Sequence, residues 1–137
     1  MSLIKHFSNE DDPQPPSMTH KPWGGYIDYY RADDCVFKKI VIKPQQSISY
    51  QVHSERAEVW FISQGLASIK TSPFGDETAL ANYMMSEMIE GEYILIQKNT
   101  AHQISNNGDD ALIIMEMQFG NCSEDDILRL QDPYNRQ

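Results

Sequence analysis

Short runs of β-branched and aromatic residues follow one another closely along this chain, and Gly, Pro and Asn separate them. Runs of this length with such turn residues between them are typical of β-strands. The runs predict strands over residues 36–43, 47–53, 57–63, 66–71, 92–97, 103–105 and 111–119. Many short strands at close spacing predict an all-β protein that folds as a double-sheet barrel or jelly roll.

The two ends of the chain follow different patterns. Residues 1–20 are polar and contain three prolines beside an acidic run, so we expect a flexible N-terminal arm there. A chain of 137 residues is of single-domain length, and residues 21–137 are expected to form one domain. The segment 123–126, Ser-Glu-Asp-Asp, predicts the start of a short C-terminal helix that ends before Pro133.

Charge and composition narrow the classes of function. The chain carries 20 acidic and 11 basic residues, for a net charge of −9, which argues against nucleic acid and against an anionic membrane surface. No window approaches the length and hydrophobicity of a membrane span. Cys35 and Cys122 form no C-x-x-C motif, and we expect both to be reduced. The expected location is the cytoplasm.

Polar side chains that bind metals cluster near the middle of the chain. Gln51 and His53 lie two positions apart, so on a strand both point to the same face. Glu58 begins the next apolar run, and His102 opens a later one. Two imidazoles, a carboxylate and an amide oxygen suit a divalent first-row metal with positions open for a substrate. The alternative for Gln51 is a buried amide that bonds the backbone, and Trp60 is expected to serve packing.

These residues fall at the spacings of a known two-part motif. The motif reads G-x(5)-H-x-H-x(3,4)-E-x(6)-G and, later, G-x(5)-P-x-G-x(2)-H-x(3)-N. The chain matches its offsets with Gln45, Gln51, His53, Glu58 and Gly65, then with Gly91, Gln97, Asn99, His102 and Asn106. Gln replaces the first Gly and the first His, and the Pro and the second Gly are replaced as well. The motif belongs to the cupins, which the chain therefore resembles, and the resemblance implies a double-stranded β-helix barrel.

Three further segments point to one family within the cupins. The chain reads KPWGGY at residues 21–26, QVHSERAEVW at 51–60 and EDDILRLQDPYNR at 124–136. These segments are similar to the (R/K)PWG-x-Y, Q-x-H-x-x-R-A-E-H-W and EDDI-x-R-x-x-D-x-Y-G-R patterns of the type II mannose-6-phosphate isomerase domain. That domain often follows a mannose-1-phosphate guanylyltransferase. The resemblance covers residues 21–136.

The resemblance implies an isomerase that interconverts mannose 6-phosphate and fructose 6-phosphate, or a close relative, through an enediolate. It implies a divalent metal at Gln51, His53, Glu58 and His102, with zinc expected first and Mn, Co, Fe or Ni as alternatives. A sugar phosphate is dianionic, and we expect Arg56, Lys38 and Arg129 to bind its charge. Glu116 is the candidate for moving the proton between C1 and C2. A homodimer is also implied, since open sheet edges are often closed by a second chain.

One departure from the family keeps two other functions open. The family has His directly after the metal-binding Glu, whereas this chain has Val59, and an acid or base is lost if that His serves as one. A non-catalytic cupin that binds a sugar or a phosphate is therefore the first alternative. Two His and one carboxylate also form the facial triad of non-haem iron enzymes, so an iron dioxygenase is the second. For Arg56, the structural alternative is a salt bridge to Glu55 or Glu58.

Overall fold

The regular structure of the protein consists almost entirely of short β-strands. It is described by a computed structural model for residues 17–136, and in that range eleven strands accompany one 3-10 helix, Glu77–Leu80. The strands are β1 (Thr19–Lys21), β2 (Gly24–Arg31), β3 (Cys35–Ile42), β4 (Tyr50–Val52), β5 (Arg56–Gln64), β6 (Ala67–Ser72), β7 (Met84–Met88), β8 (Tyr93–Ile96), β9 (Ala101–Ser105), β10 (Leu112–Gly120) and β11 (Leu128–Gln131).

The strands form two antiparallel sheets. Sheet A has the strand order β1-β2-β3-β10-β5-β8, and sheet B has the order β11-β4-β9-β6-β7. Strands distant in sequence lie side by side in both sheets, for example β3 beside β10 and β4 beside β9. Such crossovers between two facing sheets are characteristic of a jelly roll. The prediction of an all-β jelly-roll barrel is confirmed.

The interior between the sheets is apolar in one part and polar in another. Its apolar part is formed by side chains from both sheets, including Ile42, Trp60, Ile62, Ile69, Ile104, Leu112 and Ile114. Along β10, Leu112 and Ile114 point inward, and they are followed on the same face by Glu116 and Gln118. The two polar side chains are buried, at 5% and 1% exposure. Buried polar groups need partners, and the site described below supplies them for both Glu116 oxygens and for the amide nitrogen of Gln118.

Two glycine positions of the cupin motif keep a glycine-like backbone without glycine. Gln45 and Asn99 occupy them with φ of 63° and 60°, in the left-handed region that Asn tolerates better than most residues. The Gln45 side chain donates to the carbonyls of Asn107 and Gly108. The amide of Asn99 donates to the carbonyl of His53 at 2.8 Å. The substitutions thus preserve the turns, and one turn is bonded directly to the His53 loop.

The predicted C-terminal helix is wrong. Leu128–Gln131 forms strand β11, which pairs with β4, and only a turn precedes it. The reason lies in Asp126, whose carboxylate accepts hydrogen bonds from the amide and hydroxyl of Ser54 at 2.9 and 2.7 Å and from the amide of Glu55 at 2.8 Å. An acidic residue that would favour a helix start by its local sequence is instead bonded to a distant loop.

A flexible arm was predicted for residues 1–20, and residues 1–16 of it lie outside the described residues. The last residues of this segment, from Thr19, belong to β1 and pair with β2. The single domain over residues 21–137 stays a prediction.

Between residues 17 and 136, none of the helical structure is long and apolar enough to span a membrane. Cys35 and Cys122 are free thiols, as expected.

Candidate metal centre and substrate cavity

Three buried side chains from both sheets meet in the polar part of the interior. His53 follows β4 and His102 lies on β9, both in sheet B, while Glu58 lies on β5 in sheet A. Each offers one ligand atom, and these atoms lie within 4.8 Å of one another. Oε1 of Glu58 is 2.9 Å from Nε2 of His53 and 3.8 Å from Nε2 of His102. All three side chains are at most 2% exposed.

Backbone carbonyls orient both imidazoles. Nδ1 of His53 lies 2.6 Å from the carbonyl oxygen of Asp126, and Nδ1 of His102 lies 2.8 Å from that of Thr100. A carbonyl only accepts, so both Nδ1 atoms carry the proton, and both Nε2 atoms direct a lone pair toward Glu58 when the rings are neutral. Metal-binding histidines are typically held in this way. Nε2 of His102 is buried and has no hydrogen-bond partner within residues 17–136.

The charges in this cluster favour a bound cation. Burial alone would raise the pKa of Glu58, but the hydrogen bond that a protonated His53 donates and the positive charge of protonated imidazoles hold that pKa well below its usual range. Burial lowers the pKa of His102 to about 4 despite the attraction of Glu58, so this ring is neutral near pH 7. A carboxylate beside two imidazole lone pairs fits a divalent first-row metal. We refer to His53, Glu58 and His102 as the metal cluster.

Gln51 and Arg56 adjoin the metal cluster. Nε2 of Gln51 is 3.3 Å from Nε2 of His53, and the Gln51 oxygen accepts from the Ser49 hydroxyl at 2.7 Å. Nη2 of Arg56 donates to Nε2 of His53 at 3.1 Å, and its Nε donates to Oε1 of Glu58 at 3.3 Å. The guanidinium therefore supplies positive charge at the ligand atoms. The ion pair with Glu58, one of the two structural alternatives for Arg56, is present.

Glu116 is joined to the metal cluster by a shared donor. Nε1 of Trp60 donates to Oε2 of Glu58 at 3.1 Å and to Oε2 of Glu116 at 2.8 Å. The other Glu116 oxygen accepts from Nε2 of Gln118 at 2.6 Å. Burial, together with the charge of Glu58, raises the pKa of Glu116 to about 8. Trp60 thus packs in the core, as expected, and also holds two carboxylates in place.

A cavity of about 130 Å³ opens beside this network. Its polar lining includes Gln51, Gln118 and two acidic residues, Glu116 and Glu124. Five of the chain's 11 Lys and Arg residues also line it, namely Lys21, Lys38, Arg56, Arg129 and Arg136. Nζ of Lys38 lies 3.8 Å from Oδ1 of Asp28 and 4.3 Å from the centre of the Tyr26 ring. In a protein with a net charge of −9, this concentration of cations suits an anionic ligand.

The structure brings the predicted site residues together. Gln51 contacts the metal cluster, and the four residues predicted for catalysis, Arg56, Lys38, Arg129 and Glu116, all line the cavity. Sequence reasoning missed Lys21, Arg136, Gln118 and Asp126. A signal existed for Gln118, because it lies two residues after Glu116 on a strand and so points to the same face. For Asp126 no local signal existed, since its partner loop is more than seventy residues away.

Val59 lies outside this site. Residues alternate between the two faces of a strand, so Glu58 and Trp60 point inward from β5 while Val59 points outward. Val59 lines a wholly apolar depression on the outside of sheet A, together with Phe61, Met115 and Met117. The replacement of His by Val at position 59 therefore removes no group from the cavity.

The two facing sheets and the His–Glu cluster between them define a cupin. The fold is similar to that of the capsular polysaccharide assembling protein CapF from Staphylococcus aureus, with a TM-score of 0.76 at 16% identity over 93% of this chain and 38% of that chain. The family model described as mannose-6-phosphate isomerase C-terminal matches residues 8–132. The chain belongs to this family.

Curated relatives are longer proteins. The xanthan biosynthesis protein XanB from Xanthomonas campestris is 32% identical over 118 residues, which cover 85% of this chain and 23% of that protein. The mannose-1-phosphate guanylyltransferase from Escherichia coli shows the same identity and the same coverage. The chain spans about a quarter of the length of these relatives.

Proposed function

We propose that this protein is a metal-dependent sugar-phosphate isomerase that interconverts mannose 6-phosphate and fructose 6-phosphate or a close relative. The observation that carries the proposal is the position of the cation-lined cavity beside the buried metal cluster. The family match and the relatives that act on mannose 1-phosphate support this class of substrate. The reaction moves a proton between C1 and C2 of the sugar, so it needs charge stabilisation, phosphate binding and a proton carrier.

His53, Glu58 and His102 would hold the metal, with zinc expected first and Mn, Co, Fe or Ni as alternatives. The buried, unpartnered Nε2 of His102 supports this assignment. The oxygen of Gln51 can join the ligand set after its amide rotates, since its nitrogen now faces His53. When bound, a divalent metal supplies a Lewis acid that stabilises negative charge on adjacent sugar oxygens.

The basic residues would bind the phosphate and orient the sugar. Lys38 and Arg129 line the cavity without belonging to the metal cluster, and we assign the phosphate to them. Arg56 contacts His53 and Glu58, so we assign it to the oxygens nearest the reacting carbons. A guanidinium there stabilises an enediolate oxygen by a charge-assisted hydrogen bond.

Glu116 is the proposed proton carrier between C1 and C2. It lines the cavity, and Trp60 and Gln118 restrain both of its oxygens. The carboxylate form of Glu116 can take the proton from one carbon and, as the carboxylic acid, return it to the neighbouring carbon.

A non-catalytic sugar-phosphate-binding cupin is the second candidate, because its cavity would have the same cations. Its basis in the sequence was the Val59 departure, and Val59 lies outside the cavity. The iron dioxygenase remains the third candidate, since the metal cluster has the composition of a facial triad. We rank it last, because the cation-lined cavity favours a phosphorylated substrate.

A coupled assay of fructose 6-phosphate formation from mannose 6-phosphate tests the proposal. We expect turnover with the metal-loaded protein, loss of turnover after chelation, and recovery with at least one of the five metals. Lys38→Met should raise KM at least ~10-fold through loss of a phosphate contact, whereas Lys43→Met, at an exposed lysine outside the cavity, should not. Tight substrate binding without product would favour the binding module, and oxygen-dependent turnover would favour the dioxygenase.

A further inference from the structure

Gln118 lies beside both the metal cluster and the proposed proton carrier. It stands opposite Glu58 in the pairing of β10 with β5, and both side chains point inward and are 1% exposed. Side chains opposite each other in an antiparallel pair have Cβ atoms about 4.5–5.5 Å apart. Glu116 lies two residues before Gln118 on the same face of β10, and both residues line the cavity. The amide of Gln118 is therefore placed where a ligand would approach the metal cluster.

The two ends of the Gln118 amide are satisfied differently. Its nitrogen donates to Oε1 of Glu116 at 2.6 Å. Its oxygen is buried and has no hydrogen-bond partner among the residues that the structure describes. Buried polar atoms of folded proteins are nearly always paired with the protein, with water or with a ligand. The oxygen of Gln118 is thus able to accept a hydrogen bond from a molecule in the cavity.

The contact with Glu116 fixes the direction of the amide. The carboxylate form of Glu116, which takes the proton in the proposed function, has no hydrogen to donate. Turning the amide by half a rotation would set the Gln118 oxygen against a carboxylate oxygen, acceptor against acceptor. Trp60 donates to the other Glu116 oxygen at 2.8 Å, so the carboxylate is held from both sides. With the site in this form, the acceptor of Gln118 is directed away from Glu116.

The chemistry of an amide oxygen selects the group that it binds. A carbonyl oxygen accepts and cannot donate, so it does not bind the oxygens of a phosphate or a carboxylate. An ammonium group would meet the five Lys and Arg side chains that line the same cavity, and like charges repel. A hydroxyl is neutral and donates a hydrogen. The ligand that satisfies both the cations and Gln118 is therefore an anion that carries hydroxyl groups.

We propose that the oxygen of Gln118 accepts a hydrogen bond from the C2 or C3 hydroxyl of a bound sugar phosphate and so selects among such ligands. Gln118 adjoins Glu58 and Glu116, which the proposed function places at C1 and C2, whereas the C4 hydroxyl lies nearer the phosphate end of the sugar. The inference rests on the proposed function for this placement of the sugar. A ligand without the hydroxyl would leave the buried oxygen unpaired, and a site of this kind rejects such ligands.

Binding of ligands that cannot isomerise to the metal-loaded protein tests the inference. The parent ligand is 1,5-anhydromannitol 6-phosphate, which carries the C2, C3 and C4 hydroxyls of mannose 6-phosphate but has no carbonyl to isomerise. Calorimetry compares its Kd with those of its 2-deoxy, 3-deoxy and 4-deoxy forms. The 2-deoxy or the 3-deoxy form should bind the wild-type protein at least ~10-fold more weakly than the parent, as expected for one lost hydrogen bond in a buried site.

Gln118→Met keeps the length of the side chain and removes the oxygen. In this variant the ratio of the two Kd values should fall about 10-fold, because the hydroxyl and the acceptor act as a pair. Loss of the bond from the Gln118 nitrogen to Glu116 would weaken all four ligands alike and leave their ratios unchanged. Gln103→Met is the matched control, because Gln103 is a half-buried glutamine that donates to the carbonyl of Ile48 outside the cavity. Its ratios should equal those of the wild type.

Equal affinity of the wild type for the parent and all three deoxy forms would overturn the inference, whether or not Gln118→Met folds. Unchanged ratios in a Gln118→Met protein that circular dichroism shows to be folded would also overturn it. So would a difference confined to the 4-deoxy form. Turnover of mannose 6-phosphate is assayed separately, so its absence would refute the proposed isomerase while the binding ratios still decide the role of Gln118.

Discussion

Replacing Asp126 by Asn tests how the C-terminal segment positions the metal cluster. The carboxylate accepts three hydrogen bonds from the Ser54–Glu55 loop, at 2.7 to 2.9 Å. The main-chain carbonyl of the same residue accepts the proton of His53 Nδ1. In Asp126→Asn, one oxygen becomes an NH2 group that faces the amide of Glu55, donor against donor. The change removes one hydrogen bond and the charge while it preserves the shape of the side chain.

The expected cost follows from these contacts. Hydrogen bonds to charged groups contribute about 1.5–3 kcal/mol each, and the half-buried position of Asp126 places this one near ~1.5 kcal/mol. With a urea m-value of about 1–3 kcal/mol/M, the unfolding midpoint should fall by roughly 0.5–1.5 M. The less well held His53 should weaken metal binding by about 10–100-fold, as is usual when a partner of a metal ligand is changed.

Urea unfolding of the metal-free protein and a chelator competition assay measure the two effects separately. Asp125→Asn is the matched control, because it removes the same charge from a neighbouring exposed residue. It should leave both quantities within error of the wild type. If Asp126→Asn unfolds at the wild-type urea concentration and binds metal equally well, the C-terminal segment does not support the cluster. Equal losses of metal affinity in both variants would mean that only net charge matters.

Three further predictions follow from the same geometry. His102→Ala should abolish stoichiometric metal, measured by mass spectrometry of the purified protein, and retained metal would refute the ligand assignment. Val59→His restores the family's residue but should leave kcat unchanged within about twofold, because the side chain points away from the cavity; a large gain would contradict that orientation. Asp132→Asn should destabilise the protein near pH 7: burial raises the pKa of Asp132, but the bonds to Arg136 outweigh this and leave it lowered. A lowered pKa in the folded state gives stability that is fully present above the unfolded pKa of about 4. This stability is lost as the pH falls through the folded pKa. The urea midpoints of wild type and variant should therefore converge only in that acidic range.

The parts of the structure that sequence predicts well are those set by local periodicity. Alternation places Gln51 and His53 on one face, and turn residues separate the strands, so the jelly roll follows from patterns along the chain. That Glu58 and His102 join His53 was implied by the resemblance to the cupin motif. The same alternation also places Val59 opposite Glu58. A residue-by-residue comparison with the family motif overlooks this, because a motif records identity and spacing without the direction of a side chain.

The parts that sequence does not predict depend on contacts between distant segments. Asp126 has the local pattern of a helix start, but bonds to Ser54 and Glu55 outweigh that weak preference and the chain forms β11. Lys21 and Arg136 lie near opposite ends of the sequence and meet at one cavity. Their proximity depends on how β1 and the segment after β11 are placed in the fold, which no short window contains.

The most direct test of the central claim is proton exchange at the sugar carbons. Metal-loaded protein is incubated with fructose 6-phosphate in deuterium oxide, and NMR follows the products and deuterium at C1 and C2. An enediolate-forming centre at His53, Glu58 and His102 predicts mannose 6-phosphate with deuterium at C2, and loss of both signals after chelation and in His102→Ala. Fructose 6-phosphate that stays unlabelled with every one of Zn, Mn, Co, Fe(II) and Ni, in protein shown to bind metal and sugar phosphate, would contradict the account.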